Sequence, residues 1–131
     1  MIGKRVVLAD DLTPVLSTVA TLLAGSFEIV AMASDGTSAL EAILKLDPDV
    51  AVLDISMPGM SGIEVARELR SRGIRARIVF LTVHEDPDIL ATCLAAGGLG
   101  YVVKLLMETD LIPAMQEALA GREFVSRFPS L

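Results

Sequence analysis

Short apolar runs of strand type alternate with segments of helical period five times along the chain, and no other feature constrains the fold as much. The runs Val6 to Ala9, Glu28 to Ala31, Val50 to Leu53, Ile78 to Leu81 and Tyr101 to Val103 are rich in Val and Ile and mostly unbroken. An unbroken apolar run suits a strand buried on both faces, as in a parallel sheet covered by helices. Right-handed crossovers put helices on both sides of such a sheet. Five βα units with short connections therefore predict a doubly wound, five-stranded α/β fold with five helices.

The helix boundaries carry their own signals. Thr13-Pro14 opens the first helix, with Thr as cap and Pro at the first helical position. Val15, Leu16, Val19, Leu22 and Leu23 follow at helical spacing. Leu40, Ile43 and Leu44 mark the second helix, which Asp47-Pro48 ends. Ser61-Gly62-Ile63-Glu64 reads as a capping box for the third, with Ala66 and Leu69 turned inward. Asp86-Pro87 starts the fourth, which carries Ile89, Leu90, Cys93 and Leu94 and stops at Gly97-Gly98. Pro113 would break an α-helix interior, so the fifth helix is expected to begin near Thr109 or Asp110.

With 131 residues the chain is expected to be one domain, and its 53% hydrophobic content is enough for a sizeable core. Residues 1–124 are assigned to that domain and 125–131 to a C-terminal tail or the start of a linker. A single cysteine excludes an intrachain disulfide and suits a reducing compartment. The N-terminus lacks a signal-peptide core and no apolar run approaches ~18 residues, so a cytoplasmic protein, neither secreted nor membrane-spanning, is expected. Eleven basic residues against seventeen acidic ones give a net charge of −6, which disfavours nucleic acid as a partner of this chain alone.

Ligands of open parallel sheets bind beyond the carboxyl ends of the strands. Here those ends carry Asp10-Asp11, Asp54, Thr82 and Lys104. Each has an ordinary explanation by itself: a helix cap, a turn aspartate, a strand-end threonine, a solvated lysine. Their joint placement at one sheet edge is what points to a site. Two carboxylates at 4 Å repel by ~4 kcal/mol at an effective dielectric of 20. A divalent cation would relieve three of them, and an all-oxygen donor set with few protein carboxylates suits Mg²⁺.

The segments Val7-Leu8-Ala9-Asp10-Asp11, Leu53-Asp54-Ile55-Ser56-Met57-Pro58-Gly59-Met60-Ser61-Gly62, Leu81-Thr82 and Gly100-Tyr101-Val102-Val103-Lys104 together resemble the signature of two-component response-regulator receiver domains. The likeness runs from Lys4 to about Phe124. It implies a flavodoxin-like sheet ordered 2-1-3-4-5 and a signalling switch, not a turnover enzyme, phosphorylated on Asp54 by a sensor histidine kinase. Mg²⁺ would be held by Asp11 directly, by Asp10 through water, by Asp54 and by the Ser56 backbone carbonyl. Thr82 and Lys104 would grip the phosphoryl oxygens, Tyr101 would change rotamer on activation, and phosphorylation would promote homodimerisation. The ending Ala120-Gly121-Arg122-Glu123-Phe124-Val125-Ser126 resembles the junction of receivers attached to a LuxR-type helix-turn-helix domain, which implies transcriptional regulation.

The chain departs from that family at Leu105, where many receivers have Pro, so the Lys104–Leu105 peptide is expected to be trans. Gly97-Gly98 is expected to loosen the loop before the fifth strand. Other classes fit less well. A haloacid-dehalogenase-like phosphatase would resemble Asp-x-Asp where Ser56 stands, and a nucleotide site lacks a glycine-rich loop after the first strand. The rival that keeps the fold is a protein-interaction module regulated without phosphorylation. His84 reads as a side chain near the acyl phosphate that could tune hydrolysis with Ser56, and Cys93 as core filler.

Overall fold

In the computed structural model, which describes residues 3–128, strands and helices alternate throughout. They run β1 (Arg5–Ala9), α1 (Thr13–Leu23), β2 (Glu28–Ala33), α2 (Gly36–Leu46), β3 (Val50–Leu53), α3 (Gly62–Ser71), β4 (Arg77–Thr82), α4 (Pro87–Ala95), β5 (Gly100–Val103), α5 (Met107–Leu119) and β6 (Phe124–Val125). All strand pairs are parallel, in the order β2-β1-β3-β4-β5-β6. The expected order of five is present, and a short sixth strand extends its β5 edge.

Side chains along the central strands alternate between two cores. Val7, Ala9, Ala51, Leu53, Phe80 and Tyr101 pack with Ala39, Ile43, Val65, Leu69 and Cys93 from α2, α3 and α4. Val6, Leu8, Val50, Val52, Val79 and Val102 pack with Val19 and Leu23 of α1 and with Leu111, Met115 and Ala118 of α5. Both faces are therefore dry, which is why the strand sequences show no polar alternation.

Local signals set most boundaries. The capping box at the start of α3 is complete, with Glu64 N–H donating to Ser61 Oγ at 3.1 Å and Ser61 N–H to Glu64 Oε1 at 3.0 Å. Asp47 ends α2 in the left-handed conformation at φ 47° and donates its N–H to the Ile43 carbonyl. Asp86 caps α4 by accepting from Asp88 N–H at 2.8 Å.

Two helix starts differ from expectation. Thr13 is the first residue of α1, not its cap; the cap position falls on Leu12, whose side chain cannot accept a hydrogen bond. The α5 helix begins at Met107, ahead of the Thr109–Asp110 start, and holds Pro113 in its interior. A 3₁₀ turn over Lys104–Leu106 feeds directly into it, with Met107 N–H donating to the Lys104 carbonyl. Pro113 lies on the exposed face, where the Thr109 carbonyl that loses its partner can turn to water. The Lys104–Leu105 peptide is trans, as expected.

The tail expected from residue 125 onward is seated on the sheet as far as Phe128, and β6 straddles the boundary drawn at 124. Residues 1–2, and 129–131 at the end of the assigned tail, lie outside the described residues.

The loop at Gly97-Gly98 is not loose. Gly97 N–H donates to the Leu94 carbonyl at 3.1 Å and Gly98 N–H to the Cys93 carbonyl at 3.0 Å. A Cβ on Gly98 would stand 2.6 Å from Cε2 of Phe80, a fully buried ring. Glycine is thus required there by packing. Gly98→Ala is expected to lower the unfolding free energy by ~1–3 kcal/mol through overpacking, read from denaturant midpoints at unchanged slope.

Candidate functional site

Backbone register brings the strand-end residues level. Ala9 of β1 lies opposite Leu53 of β3, and Asp54 N–H donates to the Ala9 carbonyl at 2.9 Å. On the far side of β1, Asp10 N–H donates to the Ala33 carbonyl at 3.0 Å. Asp10 and Asp54 therefore emerge side by side at the middle of the sheet edge. Thr82 pairs with Val103, so Lys104 leaves β5 one residue beyond the level of Thr82.

Each side chain is fixed by a different device. Asp10 is only 3% exposed; its Oδ1 accepts from Leu12 N–H at 2.9 Å and its Oδ2 lies 2.7 Å from Lys104 Nζ. That second approach lacks hydrogen-bonding geometry, so charge alone holds the pair, and Oδ2 keeps unused acceptor capacity. Lys104 Nζ also lies 3.5 Å from Asp54 Oδ2. Asp11 is exposed, yet one carboxylate oxygen from each of Asp10, Asp11 and Asp54 falls within 4.8 Å of the others. Gly62, at the start of α3, lies so close that a Cβ there would stand 2.1 Å from the Asp54 carbonyl oxygen. The capping box announces the helix start but not this close approach to Asp54, which depends on how the loop between them folds back, with Gly62 N–H donating to the Ile55 carbonyl at 2.8 Å.

Burial pushes the Asp54 carboxyl up from its ordinary value, and the charge of Asp10 and, to a smaller extent, Asp11 add to this. The Lys104 ammonium and the Ile55 N–H oppose it. Three carboxylates against one ammonium leave a formal surplus of two negative charges. The donors are hard oxygens, the groups are close, and one buried oxygen lacks a directed partner. These residues fit a small divalent cation such as Mg²⁺.

The outer part of the site is organised around the backbone of His84. Buried Thr82 accepts from His84 N–H through Oγ1 at 3.1 Å, and buried Tyr101 donates its hydroxyl to the His84 carbonyl at 2.8 Å. Burial foremost, with smaller contributions from Cys93, Asp86 and Glu85, pushes the Tyr101 phenol up to about 12, so it is a neutral donor at any physiological pH. Ser56 Oγ faces His84 Nε2 at 3.3 Å across the rim. All the sequence-assigned residues thus converge at one edge. The sequence gives no sign of the His84 junction, because both of its bonds are made by the main chain.

The chain matches the response regulator receiver domain family over residues 6–116. It is 38% identical over 129 residues to the probable transcriptional regulatory protein NarL of Mycobacterium tuberculosis, covering 97% of this chain and 59% of that protein. The signal receiver domain of NarL from Mycobacterium tuberculosis superposes with a TM-score of 0.89 at 35% identity, over 93% of this chain and all of that one (100%). A LuxR-family two-component response regulator from Aurantimonas gives 0.88 at 31% identity, over 97% of this chain and 91% of that one. The chain spans 48 to 62% of the length of the first curated relatives it matches. Among the described residues no helix is long and apolar enough to cross a membrane.

The raised Asp54 carboxyl has a consequence for stability. A group whose folded-state pKa is raised favours the fold most below its unfolded value, and that contribution is lost as pH rises through the folded value. In chelator at neutral pH, Asp54→Asn should therefore melt higher than the native chain. The gain should be on the order of 1 kcal/mol, from relief of the charge's burial first and of its repulsion by Asp10 second. Melts repeated at falling pH should show the gap closing as native Asp54 takes up its proton.

Proposed function

The chain belongs to the response regulator receiver domain family, and on that premise we propose that Asp54 is the residue phosphorylated by a sensor histidine kinase. Receiver domains are phosphorylation-dependent signalling switches, not turnover enzymes. The observation that carries the assignment to Asp54 is its position at the sheet edge, beside the carboxylates of Asp10 and Asp11 and 3.5 Å from the ammonium of Lys104.

An Asp54 carboxylate oxygen attacks phosphorus in line, the P–N bond of the donor phosphohistidine breaks, its electron pair leaves with the imidazole, and an acyl phosphate forms. Asp11, Asp10 through water, Asp54 and the Ser56 backbone carbonyl would hold Mg²⁺, which would supply charge neutralisation when bound. Lys104 turns from Asp10 and Asp54 to a phosphoryl oxygen, making a charge-assisted contact. Thr82 offers its hydroxyl to a second oxygen and so draws in the loop that begins at Val83. Tyr101 responds because its hydroxyl is tied to the His84 carbonyl. Attack of water on the acyl phosphate resets the switch, with Ser56 and His84 at the rim in position to affect its rate.

The relatives' description as transcriptional regulatory proteins, together with their greater length, supports a wider proposal. In a longer cytoplasmic protein the switch would control a LuxR-type DNA-binding region. Self-association through α4, β5 and α5 would be the phosphorylated state's output.

Acetyl phosphate with Mg²⁺ is expected to add one phosphoryl group to the native chain and none to Asp54→Asn, as read by intact mass. Modification elsewhere, or without Mg²⁺ dependence, overturns the assignment and favours a module controlled by partner contact alone. Lys104→Ala, which leaves Asp10 and Asp54 without their ammonium, is expected to be less stable yet folded, and to accept the group while the near-ultraviolet signal of Tyr101 stays unchanged. A native-like response in that variant removes Lys104 from the switch.

A further inference from the structure

After α5 the chain turns back onto the sheet instead of leaving it. Phe124 and Val125 pair in parallel with Gly100 and Tyr101. Phe124 N–H donates to the Leu99 carbonyl at 2.9 Å and Ser126 N–H to the Tyr101 carbonyl at 2.8 Å. The Ser126 hydroxyl is buried and used twice: it accepts from Val103 N–H at 3.2 Å and donates to Asp110 Oδ2 at 2.7 Å. Phe128, also buried, tilts against the Tyr101 ring at a centroid distance of 5.8 Å.

Two of these anchors, Val103 and Tyr101, lie within a step or two of the site. Val103, which donates to Ser126, is followed by Lys104, whose ammonium bridges Asp10 and Asp54. Tyr101, which holds Ser126 by its carbonyl and Phe128 by its ring, holds the His84 carbonyl by its hydroxyl, and His84 N–H rests on Thr82. The segment itself is slight: a two-residue strand, one serine and one ring. Short edge elements of this kind open most readily, so a small bias in their anchors is enough to move them.

We propose that residues 124–128 form a strap coupled to the state of Asp54, seated on β5 and Tyr101 while the aspartate is free and loosened when it is phosphorylated. The proposal rests on the phosphoacceptor reading of Asp54. A phosphoryl group there competes for the Lys104 ammonium and the Thr82 hydroxyl. Movement of Lys104 displaces the Val103 N–H from Ser126, and Thr82, in drawing its loop inward, carries the His84 peptide with it and so turns the Tyr101 ring beneath Phe128. Coupling is reciprocal, so loosening the strap must favour the phosphorylated arrangement.

Amide hydrogen exchange on the whole chain, with acetyl phosphate and Mg²⁺, tests this directly. Phosphorylation is expected to speed exchange at Val103 and Ser126 about five-fold or more, within the usual range of such couplings, while Asp54→Asn shows no change with the donor. Phe128→Ala is expected to exchange fast at both amides without donor, and to bind beryllofluoride with Mg²⁺ about five-fold more tightly than the native chain. Ser126→Ala, which leaves the aromatic packing in place, must shift in the same direction. A native chain that carries the phosphoryl group on Asp54 with unchanged Val103 and Ser126 amides overturns the strap alone. Unchanged beryllofluoride affinity in both variants does the same. A native chain that neither takes up the group nor binds beryllofluoride overturns the phosphoacceptor reading and the strap with it.

Discussion

One ammonium between two buried carboxylates sets the terms for the whole sheet edge. Lys104 Nζ lies 2.7 Å from Asp10 Oδ2 and 3.5 Å from Asp54 Oδ2, and both acids are almost fully buried. An unpaired charge in such a place is strongly destabilising, so the fold must deliver that ammonium accurately. It does so by ending β5 after four residues and turning the chain sharply through the 3₁₀ turn that starts at Lys104 itself. The neutralisation is nonetheless incomplete, since Asp11 adds a third carboxylate at the mouth. The site is held in a state that a further cation or a new set of oxygens would rearrange.

How much of this was legible in the sequence depended on whether the deciding contact is local. The Ser61–Glu64 box, the Asp47 stop and the Asp86 cap are written within four residues and appear as read. Three strand ends were readable for another reason, because unbroken apolar runs give way there to Asp10, Asp54 and Lys104, whereas β2 runs on to Ala33, two residues past its expected end. By contrast, α5 starts at Met107 because a turn upstream carries into it, although Pro113 alone argued for a later start. Gly98 resembled a flexible pair-mate of Gly97, and only the distant Phe80 ring reveals that a side chain has no room.

The least legible parts are those made by main-chain atoms or by single residues far apart. His84 connects Thr82 to Tyr101 through its own N–H and carbonyl, an arrangement indifferent to which side chain it carries. The residues after Gly121 show no periodicity, yet Ser126 finds Asp110 and Val103, and Phe128 finds Tyr101. A two-residue strand is too short to have a pattern. Its placement is decided by the open β5 edge that receives it.

The alternation of side chains across the strands has a consequence for how such a chain can vary. Val7, Phe80 and Tyr101 face one layer, Val6, Val79 and Val102 the other, and the two apolar clusters share no member. A change of volume under α1 or α5 must be compensated on that side, because the sheet backbone stands between it and α2, α3 and α4. The layers can therefore drift on separate evolutionary clocks. Asp10, Asp54, Thr82 and Lys104 sit at the ends of the one partition that both layers hold in register, where neither clock can move them alone.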